Sequence, residues 1–487
     1  MTVPRTMLQR SLTPKVVATG FTTAFLGDER TLREFVVGDF VVREMQSRGD
    51  NGALYLFNDS LDPLNVRQLR VGVNKDPELV RRFEPFCGRP ICDIPDPFGC
   101  HASYSDHFEH ALVDRLDRLG IHPIVIDVHR AYRLGHYAPY VATTLARYRE
   151  IQDSIAHACD HYTLKNLYRV QCPQCSCIDA TEISAASADA VAFTCGRCGL
   201  DTRQSTDTLR GKLSWKLDCA ARWNLYGVEA ETFSKAHLAD KGTFSVAALV
   251  SKQFFGNHVP VTVKYGDLRM SQRLSGHLLE MLPPAMLKQL LTDRLTSDVE
   301  LTTESVEHFA SGYEVRPGLS YAAYVRRELP RDALRRVFSR DASTSWAADS
   351  VDALVAHANR YSEFYYQRRY ELRWPDAATL EAETPATVEV ARGAVERALQ
   401  LRDSVASEAE RKTMLKQHLE AIPSAPRVYP FLRKVFGQDH GASITTLLAL
   451  LPREYLAAVL LILSCLAGTI QAQGGSFDEY DEDRRAA

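Results

Sequence analysis

Two cysteine pairs, Cys172-x-x-Cys175 and Cys195-x-x-Cys198, are the residues best spaced for chemistry. A two-residue gap lets both thiolates of a pair grip one ion. Two such pairs close a tetrahedron, the ligand pattern of a structural zinc ribbon. A closed four-sulfur site organises chain and leaves no position for a substrate. Cys177 is a spare thiol that could replace Cys175. Read as reduced and metal-free, the same cysteines would be plain structural thiols. No conventional nucleophile triad competes with them.

The elements around these cysteines read as α/β. Residues 15–20 (KVVATG), 52–57 (GALYLF) and 122–128 (HPIVIDV) are short apolar, β-branched runs that predict strands. Between the first two, residues 31–48 carry Leu32, Phe35 and Val36 at helical spacing. Strands alternating with helices predict a parallel, Rossmann-like sheet with its ligand at the carboxyl ends of the strands. A helix is predicted over 140–158, then the cysteine pairs, then strands over 230–233 and 259–265. Beyond about residue 280 the pattern is mostly helical, as over 285–292, 351–365, 388–407 and 408–422. The last residues, 474–487, read as a disordered acidic tail.

Composition sets bounds. The chain has 487 residues, enough for several domains. Lys plus Arg number 58 against 61 for Asp plus Glu, so no global basic field announces a nucleic acid, and DNA is not an expected partner. A local patch can still hold RNA. The 11 cysteines show no disulfide framework, and residues 1–12 are polar and basic without an apolar signal core, which fits a reducing cytoplasm. The apolar run 455–470 falls short of the roughly 20 residues a membrane span needs and reads as a buried helix. Oligomeric state is not legible.

Several blocks resemble class I lysyl-tRNA synthetase, the archaeal-type enzyme. Asn58-Asp59-Ser60-Leu61-Asp62-Pro63-Leu64 is similar to its D-D-x-D-P-L segment, and Asp93-Ile94-Pro95-Asp96-Pro97-Phe98-Gly99-Cys100-His101 to its D-I-P-D-P-F-G-C-H segment almost letter for letter. Arg210-Gly211-Lys212-Leu213-Ser214-Trp215-Lys216-Leu217-Asp218, with Ala221-Arg222-Trp223, resembles its G-K-L-P-W…D-W-P-A-R-W block. Phe436-Gly437-Gln438-Asp439-His440-Gly441 resembles its G-Q-E-x-G segment. The family's own ribbon also precedes the G-K-L block.

The resemblance implies a class I Rossmann catalytic domain split by a zinc ribbon: residues 1–165, the ribbon over 166–205, and 206–290 with the KMSKS-like loop. A helical, anticodon-binding-like domain over 291–472 and the tail over 473–487 would follow. It further implies ATP-dependent activation of lysine, or a lysine-like amino acid, and its transfer to tRNA. Cofactors would be a structural Zn2+ and, in a catalytic enzyme, ATP with Mg2+. Gly20 and Thr22 match the positions that touch the substrate backbone, and Trp215 and His237 the aromatic and histidine around bound lysine. Without the resemblance, Trp215 reads as a core indole and His237 as a loop histidine.

Both ATP signatures depart from the family. The His-x-Gly-His motif falls on Asp28-Glu29-Arg30-Thr31, so Asp28 replaces the first histidine and Arg30 stands within the motif. A carboxylate repels polyphosphate where an imidazole would donate to it. The KMSKS motif falls on Arg269-Met270-Ser271-Gln272-Arg273-Leu274, with Leu274 at the final lysine. Arg269 or Arg273 could supply part of the lost charge. The alternatives are a paralogue that binds lysine or tRNA as a regulator, or a transferase that uses tRNA charged elsewhere. Arg326-Arg327, Arg331, Arg335-Arg336 and Tyr365-Tyr366-Gln367-Arg368-Arg369-Tyr370 offer basic and aromatic groups for RNA, or equally a solvated helix face. His101, His107 and His110, near Asp93, Asp96 and Asp106, are read as parts of the nine-residue block and a helix rather than as a metal centre.

Overall fold

The computed structural model describes residues 14–329, 332, 348–369, 383–405, 407–423, 425–436, 443–451 and 453–474. The chain divides into two compact units, Met1–Gly276 with Pro284–Thr303, and His277–Pro283 with Glu304–Ala487.

The first unit is built on five parallel strands: β1 (Lys15–Phe21), β2 (Gly52–Asn58), β3 (Ile124–Asp127), β4 (Val228–Ser234) and β5 (Val261–Tyr265). Their order is β5-β4-β1-β2-β3. Val16, Val17 and Ala18 in β1 are fully enclosed, as a parallel sheet covered on both faces requires. Helix α1 (Glu29–Ser47) buries Leu32, Phe35, Val36 and Val37. Gly38 lets it come close, because a Cβ there would meet Leu54 Cδ1 at 2.7 Å. The strand order reverses between β1 and β4, which opens a crevice at their carboxyl ends.

The ribbon is a three-stranded antiparallel sheet, Thr181–Ala186, Ala190–Cys195 and Asp201–Ser205, inserted between β3 and β4. It is pinned to an earlier loop: Arg197 donates to the carbonyls of Cys87 and Pro85, and Ile178 N to Gly88 O. Helix α2 (Trp215–Tyr226) then leads into β4 through Gly227, whose φ of 60° is the left-handed cap conformation.

The sequence expectation needs two corrections. The stretch 140–158 is two helices, Ala138–Ala146 and Tyr148–Ala158, because Arg147 leaves the helical region (φ −111°, ψ 28°). The region after 280 also contains strands: Val299–Leu301 pairs in parallel with Leu268–Met270, and Glu314–Arg316 pairs with Leu319–Ser320.

In the second unit, Pro385–Ser404, Glu408–Glu420, Ile444–Leu450 and Arg453–Gly474 enclose an apolar core. The run around 455–470 contributes Tyr455, Leu456, Val459 and Leu463 to it. Among the described residues no single helix is long and apolar enough to cross a membrane. Gly437 to Gly441, Arg331, Arg335, Arg336, Tyr370, residues 1–12 and the tail from 475 lie outside the described residues.

Candidate functional site

Gly20 is the penultimate residue of β1 and Thr22 directly follows the strand, while His237 follows β4, so the three flank the crevice at the strand-order reversal. Gly20 carries no side chain where space is shortest: a Cβ would meet Arg222 Nη1 at 3.0 Å, Trp215 Cη2 at 3.2 Å and Asp59 Oδ2 at 3.5 Å. His237 is half-buried against Phe233, and burial holds its pKa below the ordinary value. A neutral imidazole can accept a hydrogen bond from an ammonium without repelling it.

Beneath this crevice lies a buried charge network that the sequence reading missed. It joins the Asp59…Asp62 block to the Lys212…Arg222 block. Lys212 Nζ donates to Asp62 Oδ1 at 2.8 Å and lies 3.6 Å from Asp59 Oδ1, and Thr22 Oγ1 donates to Asp62 Oδ2 at 2.6 Å. Arg222 Nη2 donates to Asp59 Oδ1 at 2.8 Å and to Asp218 Oδ1 at 2.5 Å. The Arg222 guanidinium also lies 4.9 Å from the Trp215 ring centroid and 4.7 Å from that of Phe57. One face of the indole expected to meet the substrate is therefore already covered by Arg222.

Three carboxylates here share two cations, and the imbalance has visible consequences. Burial pushes Asp59 up to about 6 despite Arg222 and Lys212. Its Oδ2, and Arg222 Nη1, have no hydrogen-bond partner. Burial works against the Lys212 charge, yet Asp62 and Asp59 outweigh it and raise its pKa. Buried charges in such numbers are expensive unless they serve a fixed geometry. The signal for them was faint, charged letters inside an apolar block.

The two degenerate ATP motifs meet. Asp28 caps α1, accepts from Arg30 N at 3.0 Å and is ion-paired to Arg30 at 2.5 Å. Ser275 Oγ donates to Asp28 Oδ2 at 2.6 Å, and Gly276 N donates to the buried Glu29 at 2.8 Å. Burial works to raise Asp28, but the Arg30 and Ser275 bonds prevail and hold its pKa below the usual carboxylate range. It faces the loop as an anion. Leu274 is fully buried, while Arg269 and Arg273 are exposed. These residues do not fit an ATP phosphate clamp: the donor at the head of α1 has become an acceptor, already taken.

Among the described residues three groups could hold metal, and two of them bear on the sequence reading. Cys172, Cys175, Cys195 and Cys198 gather their sulfurs, with Cys172–Cys198 and Cys175–Cys195 both at 3.6 Å. That matches the edge of a zinc tetrahedron with Zn–S bonds of about 2.3 Å. Cys177 is buried nearby and outside the set, its Sγ on the carbonyl of Cys175. The second group includes two of the histidines that the sequence reading set aside as a metal centre: Asp96, Cys100, His101 and His107 bring one ligand atom each within 4.8 Å of the others. Cys100 Sγ lies 3.1 Å from His101 Nδ1 and 3.2 Å from His107 Nδ1. Burial would raise Asp96, but backbone N–H groups of Phe98, His101 and Cys100 outweigh it and hold it at about 2. The Asp-x3-Cys-His-x5-His spacing carried this signal; His110 and Asp106 are not in the set.

The residues proposed for RNA in the second unit are partly structural. Tyr365 stacks on buried Tyr361 at 4.3 Å, and Tyr366 accepts from Arg326 at 3.3 Å. Gln367, Arg368 and Arg369 are exposed.

The model of the family described as tRNA synthetases class I (K) matches residues 5–277. The lysine–tRNA ligase of Archaeoglobus fulgidus is 28% identical over 300 residues, 58% of this chain and 58% of that one. That of Methanococcus maripaludis is 28% identical over 339 residues, 64% of this chain and 61% of its own. The chain thus spans about three-fifths of the length of these relatives. Among solved structures, a glutamate tRNA ligase from Elizabethkingia meningosepticum aligns over 93% of this chain and 99% of that chain, at 10% identity and a TM-score of 0.40. The family match runs through all five sheet strands and the ribbon, and the chain belongs to the class I (K) tRNA synthetases.

Proposed function

We propose that this chain works in lysine–tRNA chemistry: it binds lysine, or a lysine-like amino acid, in the crevice between β1 and β4 and exchanges it with the 3′ end of a tRNA. The supporting observation is the unpaired Asp59 Oδ2 beside Gly20, in a network holding one more carboxylate than cation. A ligand ammonium would supply the missing positive charge. Arg222 Nη1, also without a partner, is suited to a carboxylate or carbonyl oxygen.

Two directions of exchange are open to such a site. Ligation would need Arg269 or Arg273 to carry charge that the family places on lysine, together with Mg2+. The acidic head of α1 and its bonds to Ser275 and Gly276 favour the other direction, in which a nucleophile of a second substrate attacks the acyl carbon of an aminoacyl ester made elsewhere and the 3′ ribose hydroxyl of the tRNA leaves. Lysine-dependent ATP–pyrophosphate exchange, with tRNA present and the protein loaded with zinc, separates them. Exchange at a synthetase-like rate would establish the ligase direction. Its absence, with lysine binding retained, leaves the transferase or a lysine-binding regulator, and transfer from pre-charged tRNA then tells these two apart. Absence of lysine binding would overturn the amino-acid site itself.

A further inference from the structure

A second polar cluster lies along the same carboxyl edge of the sheet, beyond β2 and β3. Cys92 and Asp93 sit in the short helical turn Ile91–Asp93, and His129 in the first turn of Val128–Arg133, directly after β3. Ser60 holds both segments: Cys92 N donates to Ser60 O at 3.0 Å, and His129 N to Ser60 Oγ at 3.1 Å. One sulfur, one carboxylate oxygen and one imidazole nitrogen thereby lie within 4.8 Å of one another. Cys92 Sγ is 3.8 Å from Asp93 Oδ1. That is near the roughly 3.5 Å edge expected of a tetrahedron with Zn–S of about 2.3 Å and Zn–O of about 2.0–2.2 Å. Gln171 Nε2 donates to Asp93 Oδ2 at 2.6 Å, the kind of outer bond that orients a ligating carboxylate.

This cluster opens onto space. Asp93, His129 and Gln171 line a cavity of about 840 Å³, with Leu61, Tyr132 and Arg210 among its walls. Three mixed donors with an open fourth side are the pattern of a reactive zinc site, in contrast to the closed four-cysteine ribbon.

We propose that Cys92, Asp93 and His129 bind a divalent transition metal, zinc by the softness of the donor set, with its free coordination position facing this cavity. The free position would take a small ligand offering a lone pair, with Arg133 and Arg210 placed for an anionic group on it.

The test uses the full chain loaded with zinc, and counts metal per chain by elemental analysis. Cys92→Ser/His129→Ala should bind one equivalent fewer than the parent, with an unchanged circular dichroism spectrum. In the cobalt(II)-substituted protein, azide should shift the visible bands of the parent and leave those of the double variant unmoved. Equal metal content in parent and variant, or a parent cobalt spectrum indifferent to azide, overturns the proposal. Should the double variant fold poorly, His129→Gln carries the same two readings.

Discussion

Ser275 Oγ lies 2.6 Å from the Asp28 carboxylate, closing a contact across 247 residues between the head of α1 and the loop that resembles KMSKS. The neighbouring bond from Gly276 N to Glu29 runs in parallel. In a phosphate-binding enzyme these groups would face a nucleotide; here they face each other.

Loosening that pair should free the loop. Hydrogen bonds to charged groups contribute about 1.5–3 kcal/mol, so Ser275→Ala with Glu29→Gln should raise the local open population on the order of tenfold or more. Trypsin cleavage after exposed Arg269 or Arg273 should accelerate accordingly, with global stability changed far less. An unchanged cleavage rate would show that the loop is held by other contacts.

Gly20→Ala should weaken lysine binding by on the order of tenfold or more. The added methyl would sit 3.0 Å from Arg222 Nη1 and 3.2 Å from Trp215 Cη2, displacing the groups assigned to the ligand. Asp59→Asn should weaken it by a similar factor through loss of the charge. Calorimetric titration with lysine measures both, and parent-like affinity in both variants would remove the crevice from consideration.

Metal loss from the ribbon should spread. Cys172→Ser breaks the four-sulfur set, and ribbons of this kind depend on their ion for folding. Hydrogen exchange should then accelerate over 181–205. It should accelerate over 85–93 as well, because Arg197 and Ile178 tie that loop to the ribbon. Protection retained over 85–93 would show the two to be independent.

Glu231, in the middle of β4, is pushed up to about 7 by burial, despite Arg222 and the bond from Trp223 Nε1. The folded state therefore holds a proton that the unfolded chain, with a carboxyl near its ordinary value, releases sooner. Stability contributed by the protonated form falls as pH rises from about 4.5 to about 7, then levels off. Glu231→Gln should flatten that slope by about 1–3 kcal/mol across the interval. Urea denaturation at pH 5 and pH 7.5 gives the comparison, and equal slopes would contradict it.

Much of the scaffold was legible because its cause is local. Val16, Val17, Leu54 and Leu56 announce strands by type and run length, and the cysteine pairs announce their geometry by spacing. The site was less legible because its causes are distant. Lys212 meets Asp62 across 150 residues, and no periodicity carries such a pairing. Arg222 covering Trp215 depends on the packing of α2 against Phe57. The Asp96 group had a readable spacing, yet within a conspicuous nine-residue block its histidines passed for the block's own letters.

The parallel sheet is completed out of order: Val16 of β1 pairs on one side with Ala53 of β2 and on the other with Val228 of β4. A ribosome delivers residues at roughly 5–20 per second, so the roughly 200 residues between β1 and β4 take about 10–40 s to appear. Through that interval the nascent chain carries β1 with one edge unpaired and its hydrogen-bonding groups open to any passing strand. The inserted ribbon thus lengthens a hazard of synthesis, and yield in the cell should depend on what shields that edge until β4 arrives.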